Sequence, residues 1–459
     1  MASAYLYKDL GTPTNAYKGT VSHWVKRSGL GASTEFGSFA AWLNGGSSTR
    51  SHCNWYDDTI YFYSQQHSMV IQTNRKFRDV NAWYHTVIAW DTTQSTASDR
   101  VKIYINGVQE TSFSTANYPA QNSVLEYNVS GRRFGVGCLA QSNGSAASFW
   151  NGCISDFIFV DGTALTPTSF GETDSTTGIW KPKTTPSVTY GTNGFFLKMN
   201  NSANMGLDSS GQSNNYTTSG TIIQTKDTPS NVFATLNTLT RSASALTFNK
   251  INNSKGSSSS NTWRSIASTL GVSAGKYYYE IKVDSIENSD QNNFAVGITD
   301  YEQSDDHSAS NGKFFAFSRG YGYHAKDGKK LNNDASTSNG VAYGSSWTTN
   351  DIIGCAFDLD NGKIYFSKNG TWQNSGDPTS GSTGTGSAFN ITTGHTYFPV
   401  MAQYYANEQY SFNFGNGYFG TTAVSSAQNP DDGIGIFEYD VPAGYRALCT
   451  TSINAQEYS

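Results

Sequence analysis

Charge and helical periodicity are both scarce in this 459-residue chain. Only 14% of its residues are Asp, Glu, Lys or Arg, against about a quarter in ordinary soluble domains. Neutral polar side chains must therefore supply most of the solubility. The net charge is −5 and there is no basic stripe. A phosphate-binding surface needs clustered Lys and Arg, so nucleic acid is not an expected partner. The densest basic patch, Lys326 to Lys330, contains Asp327 and reads as a solvated loop. No apolar run approaches the roughly 18 residues of a membrane span, so membrane insertion is not expected. The five cysteines (Cys53, Cys138, Cys153, Cys355, Cys449) include no Cys-x-x-Cys pair, which removes the usual zinc spacing. Cys153 and Cys355 sit inside apolar strand patterns, where a thiol acts as a small hydrophobe. Lys8 and Asp9 precede any apolar run, so synthesis in the cytoplasm without a secretory leader is expected.

Catalytic constellations are missing too, and no enzyme is expected. There is no Gly-x-Ser-x-Gly in a strand-to-helix setting, no helix for His-Glu-x-x-His and no glycine-rich phosphate loop. Glycosidases need paired carboxylates across a cleft. Asp358 and Asp360 have a suitable spacing but lead into Asn361-Gly362 and read as solvent-facing turn residues. Glu438 and Asp440 are followed by Pro442, which argues against a central strand. Asp208-Ser209-Ser210-Gly211 begins like a calcium loop. It lacks the distal Glu and flanking helices, so an Asx-turn is the stronger reading and no cofactor is expected.

What is present suits an all-β protein: 45 Gly, 14% aromatics and abundant Ser, Thr and Asn. Period-two alternation marks strands over 19–25, 59–63, 101–105, 157–160, 277–283, 294–298, 363–366 and 409–414. One helical pattern, Asn261 to Gly271, puts Trp263, Ile266 and Leu270 on one face; an irregular strand fits it equally well. The length implies two domains, with a polar boundary near 225, a second domain over 226–429 and a tail over 430–459 that could be a docking arm. Gly256 to Ser260 reads as a mobile loop. Two segments rhyme across the halves. Trp83 to Trp90 leads through Val101–Ile105 into Asn106-Gly107, and Asp351 to Leu359 leads through Asn361-Gly362 into Lys363–Phe366 and Asn369-Gly370. Asn-Gly favours the positive φ angles of a two-residue hairpin.

The second half resembles the SPRY (B30.2) family through Lys276-Tyr277-Tyr278-Tyr279-Glu280, Phe294-Ala295-Val296-Gly297-Ile298, Asp351-Ile352-Ile353-Gly354, Ile364-Tyr365-Phe366 and Tyr410-Ser411-Phe412-Asn413-Phe414-Gly415. The first half, 1–225, resembles a laminin G or concanavalin A-like jelly roll. The matching pieces are Gly19-Thr20-Val21-Ser22-His23-Trp24-Val25, Trp83 to Val87, Val101 to Gly107 and Phe149 to Asp156. The tandem, with Leu165-Thr166-Pro167 and the terminal Pro442 to Thr450, resembles virion proteins of marine tailed phages. These resemblances imply two tandem antiparallel β-sandwiches that bind rather than catalyse. They also imply a place on the virion surface: either a fibre-type adhesin contacting host-surface glycan or protein, or a capsid-decoration or tail-assembly piece contacting other virion proteins. A homo-oligomer, a trimer in the fibre case, is expected.

Sugars are held by aromatic faces together with amide, carboxylate and backbone groups. Two clusters have that composition. One is Trp55, Tyr56 and Asp57. The other comprises Tyr301, Asp305, Asp306 and His307 with Tyr321, Tyr323 and His324, expected on loops. The alternative is that these aromatics cover sheet edges. His23 and His85 are expected to be packed against neighbours.

Overall fold

The computed structural model describes residues 4–30, 35–45, 49–175, 178–241, 246–250, 253–256, 262–286, 293–300, 312–405 and 408–457. The chain divides into two compact units, 1–224 and 225–459, each built from antiparallel sheets.

The first unit packs an eight-stranded sheet on a six-stranded one. The larger sheet runs, in spatial order, Phe113–Asn117, Met69–Thr73, Thr59–Ser64, Arg50–Tyr56, Glu35–Trp42, Arg133–Val136, Tyr5–Asp9 and Thr217–Ser219. The smaller runs Phe195–Leu197, Gly152–Asp161, Lys18–Arg27, Trp83–Asp91, Val101–Ile105 and Val108–Gln109. Alternation decides which side chains meet between the sheets. In Thr59–Ser64, Ile60 and Phe62 are buried in the core while Tyr61 and Tyr63 lie half-buried on the other face. Phe39, Phe134, Phe157, Phe159 and Phe195 form the aromatic centre of that core. His23 is buried there too, its ring against Phe39 and Phe157, and burial pushes its pKa down to about 3. The imidazole is thus neutral.

The second unit packs a seven-stranded sheet on a nine-stranded one. The first has Phe294–Asp300 and Tyr397–Gln403 near its middle; the second has Lys276–Ser285 and Ile352–Asp358. Of the two readings open for 261–271, the strand holds: Arg264–Ser268 is a fully buried strand paired with Tyr397–Gln403. A strand buried on both faces loses the period-two signal, which is why Trp263 and Ile266 mimicked a helical stripe. Among the described residues the α-helix is instead Thr450–Glu457.

The rhyming hairpins correspond, with one correction. Asn106 and Gly107 take φ of 49° and 83°, and Asn369 and Gly370 take 49° and 79°; each pair forms a two-residue loop. Asn361-Gly362 does not form one, because it closes a four-residue loop and only Gly362 has positive φ (64°). In both true turns the asparagine also grips the neighbouring strand. Asn106 Oδ1 accepts from the His85 N–H at 2.8 Å, and Asn369 Oδ1 accepts from the Ile352 N–H at 2.8 Å. Each Asn N–H returns a bond to the same residue's carbonyl, at 2.9 and 2.8 Å. Asp358, expected to face solvent, is buried, bonded to Asn361 and ion-paired with Lys276 at 3.2 Å.

The tail that could have been a docking arm is folded onto its own sandwich. Arg446–Ala447 adds in parallel beside Tyr277–Tyr278, and Ala234 donates to the Leu448 carbonyl at 2.9 Å. Phe437, Tyr445, Ala447 and Cys449 cover Tyr278, Ala356 and Tyr365 on the outside of the nine-stranded sheet. That face is too apolar to be left to water, which is why the segment docks on it. Glu280 is the polar anchor beneath. Its carboxylate accepts from the backbone N–H groups of Glu438 and Tyr439, both at 2.9 Å, and from Asn413 and Tyr278.

Candidate functional site

Each sandwich has two outer faces, and among the described residues each unit's own segments cover three of the four. In the second unit the tail covers one, and Phe314 and Phe315 pack on Ala267, Ala295, Val400 and Ala402 to cover the other. In the first unit, Phe170 and Tyr190 cover the six-stranded sheet over Val87, Ile158 and Phe196. A short hairpin, Leu139–Ala140 with Ala146–Ala147, covers part of the eight-stranded sheet beside Ala40 and Trp42. Among the described residues of the first unit, the rest of that face is left open around Tyr56, Tyr61 and Tyr63.

Alternation places Arg50, His52, Asn54 and Tyr56 there from one strand, and Tyr61 and Tyr63 from the next. Gln72 lies across from Tyr61, and Val70 across from Tyr63. Tyr61 and Tyr63 stack with centroids 6.0 Å apart; His52 lies 4.8 Å from Tyr63 and 6.2 Å from Tyr61; Tyr56 meets Tyr61 edge-on at 6.4 Å. Tyr56 is 37% exposed, and Tyr61 and Tyr63 are half-buried. Burial, with the Arg50 charge beside it, pushes the His52 pKa down to about 3, so the ring is neutral. Arg50 Nε, His52 Nδ1, Asn54 Oδ1 and Gln65 Oε1 are buried with no hydrogen-bond partner among the described residues. Orphaned polar atoms cost about 1–3 kcal/mol each, so their concentration on one face is notable. The arrangement offers flat aromatic surface edged by the Arg50 guanidinium and the Gln72 amide, with His52 and Asn54 buried beneath it.

Of the sequence-predicted site residues, Tyr56 is on this face. Trp55 is not: it points into the core, fully buried against Phe77, Tyr84 and Trp150, because its neighbour Tyr56 takes the outward position of the pleat. Asp57 and Asp58 are the two turn residues, with φ of 48° and 63°. Asp57 pairs with Lys76 at 3.0 Å, and Asp58 holds Arg27 and Arg78 at 2.9 Å each. Tyr301, Asp305, Asp306 and His307 lie outside the described residues, as does most of the expected loop at Gly256–Ser260. Tyr321, Tyr323 and His324 are not loop residues. They form a buried strand, Gly320–His324, where Tyr323 stacks on Phe366 and His324 Nδ1 lies 2.8 Å from Asp327. Glycines at 320 and 322 made a strand look like a loop. Arg50, His52, Tyr61 and Tyr63 were missed, although tyrosines alternating with Ile60 and Phe62 were a usable signal.

Ser22 and His85 lie 2.8 Å apart, the spacing of a nucleophile and base. The Trp180 indole donates to His85 Nδ1 at 2.9 Å, so the proton of the neutral ring sits on Nε2 and points at Ser22. That tautomer cannot take the serine proton, and both residues are buried. Asp208 makes the Asx-turn: its carboxylate accepts from the Phe196, Ser210 and Asn214 N–H groups and the Ser210 hydroxyl, at 2.8 to 2.9 Å. Among the described residues no group of three or more His, Cys, Asp or Glu is placed to hold a metal ion.

Comparison with known proteins agrees with this architecture. Residues 3–170 match the concanavalin A-like lectin/glucanases superfamily, and residues 276–417 match the SPRY domain. A concanavalin A-like domain is thus followed by a SPRY domain, both all-β sandwiches. Similar curated proteins include the dual specificity protein kinase splA of Dictyostelium discoideum, 28% identical over 109 residues (23% of this chain, 4% of that protein). The ATP-dependent RNA helicase DDX1 of Xenopus laevis is 37% identical over 108 residues (24% of this chain, 12% of that protein). The chain therefore spans only a small part of these relatives. Among solved structures, the SPRY domain of human HERC1 is 17% identical, covering 39% of this chain and 96% of that one, with a TM-score of 0.30.

Proposed function

We propose that the chain is a non-catalytic adhesin of a virion surface, a fibre-type component that contacts host-surface glycan or protein through the bare face of its first unit. One observation carries the reading. Among the described residues three of the four sheet faces are covered by their own unit, and the fourth presents Tyr56, Tyr61 and Tyr63 beside His52 and Arg50. Aromatic rings with adjacent polar groups are what a sugar or a protein hot spot requires. The lectin-like family match of the same unit supports it. Weak single sites gain strength when copies are joined, so a homo-oligomer such as a trimer fits this role.

The test is to display the full chain multivalently on beads and measure binding to host cells and to a glycan array. Binding that Tyr61→Ala and Tyr63→Ala remove is the expected result. No binding at high multivalency, together with failed particle assembly in the same variants, would overturn it in favour of a capsid-decoration or tail-assembly role.

A further inference from the structure

We propose that the bare face selects a carboxylate-bearing sugar, its acid group at Arg50 and its ring against Tyr63 and Tyr61. The inference rests on the binding role proposed above and adds the charge of the ligand.

The argument is charge complementarity. Arginines elsewhere in the first unit are engaged. Arg27 and Arg78 hold Asp58, Arg75 holds Glu110, and Arg100 donates to the carbonyls of Gln94, Ser95 and Pro119. Arg50 differs: it is half-buried yet makes no side-chain hydrogen bond or ion pair among the described residues, and its Nε is sealed from water. Register shows why no carboxylate among the described residues reaches it. The row across the sheet reads Asp9, Arg133, Trp42, Arg50. Asp9 is held by Arg133 through both oxygens, at 2.8 and 3.1 Å, with Trp42 standing between that pair and Arg50. Glu126 lies on the core side of the same strands, accepting from the hydroxyls of Ser51 and Ser64. Arg132 adds a second cation nearby, its side chain bonded among the described residues to the carbonyl and hydroxyl of Thr49.

This corner is therefore positive in a chain whose net charge is −5. A guanidinium fork matches a carboxylate in two parallel bonds. His52, at 9% exposure, stands between Arg50 and the tyrosine pair, which sets the acid group and the ring side by side. Gln72, half-buried, borders the rings; its amide nitrogen donates to the Thr59 hydroxyl, which leaves its oxygen for a sugar hydroxyl.

The test measures equilibrium binding of the full chain to a panel of uronate- and sialate-containing oligosaccharides and their neutral counterparts. Acidic members should bind at least about tenfold more tightly, a preference lost at high salt. Arg50→Gln should abolish the preference, while Tyr63→Ala should weaken every sugar in the panel. Thermal melting of each variant separates lost binding from lost folding, and Arg50→Lys, which keeps charge but not the fork, should recover only part of the preference. Sugar binding without an acidic preference, or a preference that survives Arg50→Gln, would overturn this inference and leave the adhesin reading standing. If no sugar binds, this inference fails, and the host-cell measurement decides the adhesin reading separately.

Discussion

At the scale of single residues, a few backbone and side-chain chemistries decide local shape. Gly107 and Gly370 sit at positive φ in matched turns, where a β-branched residue costs about 1–2 kcal/mol. An added Cβ would lie 3.2 Å from Trp180 at position 107 and 2.7 Å from Tyr439 at position 370. Gly107→Val is expected to lower the melting of the first unit and Gly370→Val that of the second, with the larger loss at 370; calorimetry on the full chain reads both. Equal shifts of both transitions by either variant would contradict the division into two units. Glu280 gives a pH dependence. Burial pushes its pKa up from an ordinary 4.5 to about 7, against four donors that favour the charged form. Between those values the folded state holds a proton that the unfolded chain has released. Its contribution to stability is thus fully present below about 4.5 and lost as pH rises through about 7. Denaturant melts of the second unit should weaken from pH 5 to pH 8. Glu280→Gln should flatten that slope while lowering stability overall, because its amide nitrogen would face a backbone N–H. A slope unchanged in Glu280→Gln would remove the assignment.

At the scale of elements, covering segments matter as much as the sheets. Tyr278, Ala356 and Tyr365 lie under Phe437 and Tyr445, and Gln456 both accepts from and donates to the Lys276 backbone, at 2.6 and 2.9 Å. Deleting 430–459 is therefore expected to leave an aggregating or unfolded second unit; a soluble chain with an unchanged second transition would contradict it. The strands were legible where one face is wet, as in Thr59–Ser64, because alternation survives there. Two strands buried on both faces were illegible, Arg264–Ser268 reading as a possible helix and Gly320–His324 as a loop, although Phe294–Asp300, equally buried, was legible. The tail's docking was hidden for a different reason. Its partner residues, Tyr277 and Tyr278, lie about 170 positions upstream, and pairing at that separation leaves no local pattern.

At the scale of the whole molecule, composition and the rhyming hairpins announced two all-β sandwiches, and the structure has two. The candidate site was far less legible, because it depends on which sheet face the rest of the chain leaves bare. Sequence named Trp55 and Tyr56 together without a face for either, and register puts Tyr56 on this one and Trp55 in the core; Arg50, His52, Tyr61 and Tyr63 emerged only from register. The most direct test of the account compares host-cell binding of the full chain with that of Tyr61→Ala/Tyr63→Ala, both verified by melting to be folded. Half-exposed rings on a solvent face add little to folding, so the double variant should melt within a few degrees of the parent. It should lose binding by at least about tenfold. A folded double variant that binds as well as the parent would contradict the claim that this face is the binding site.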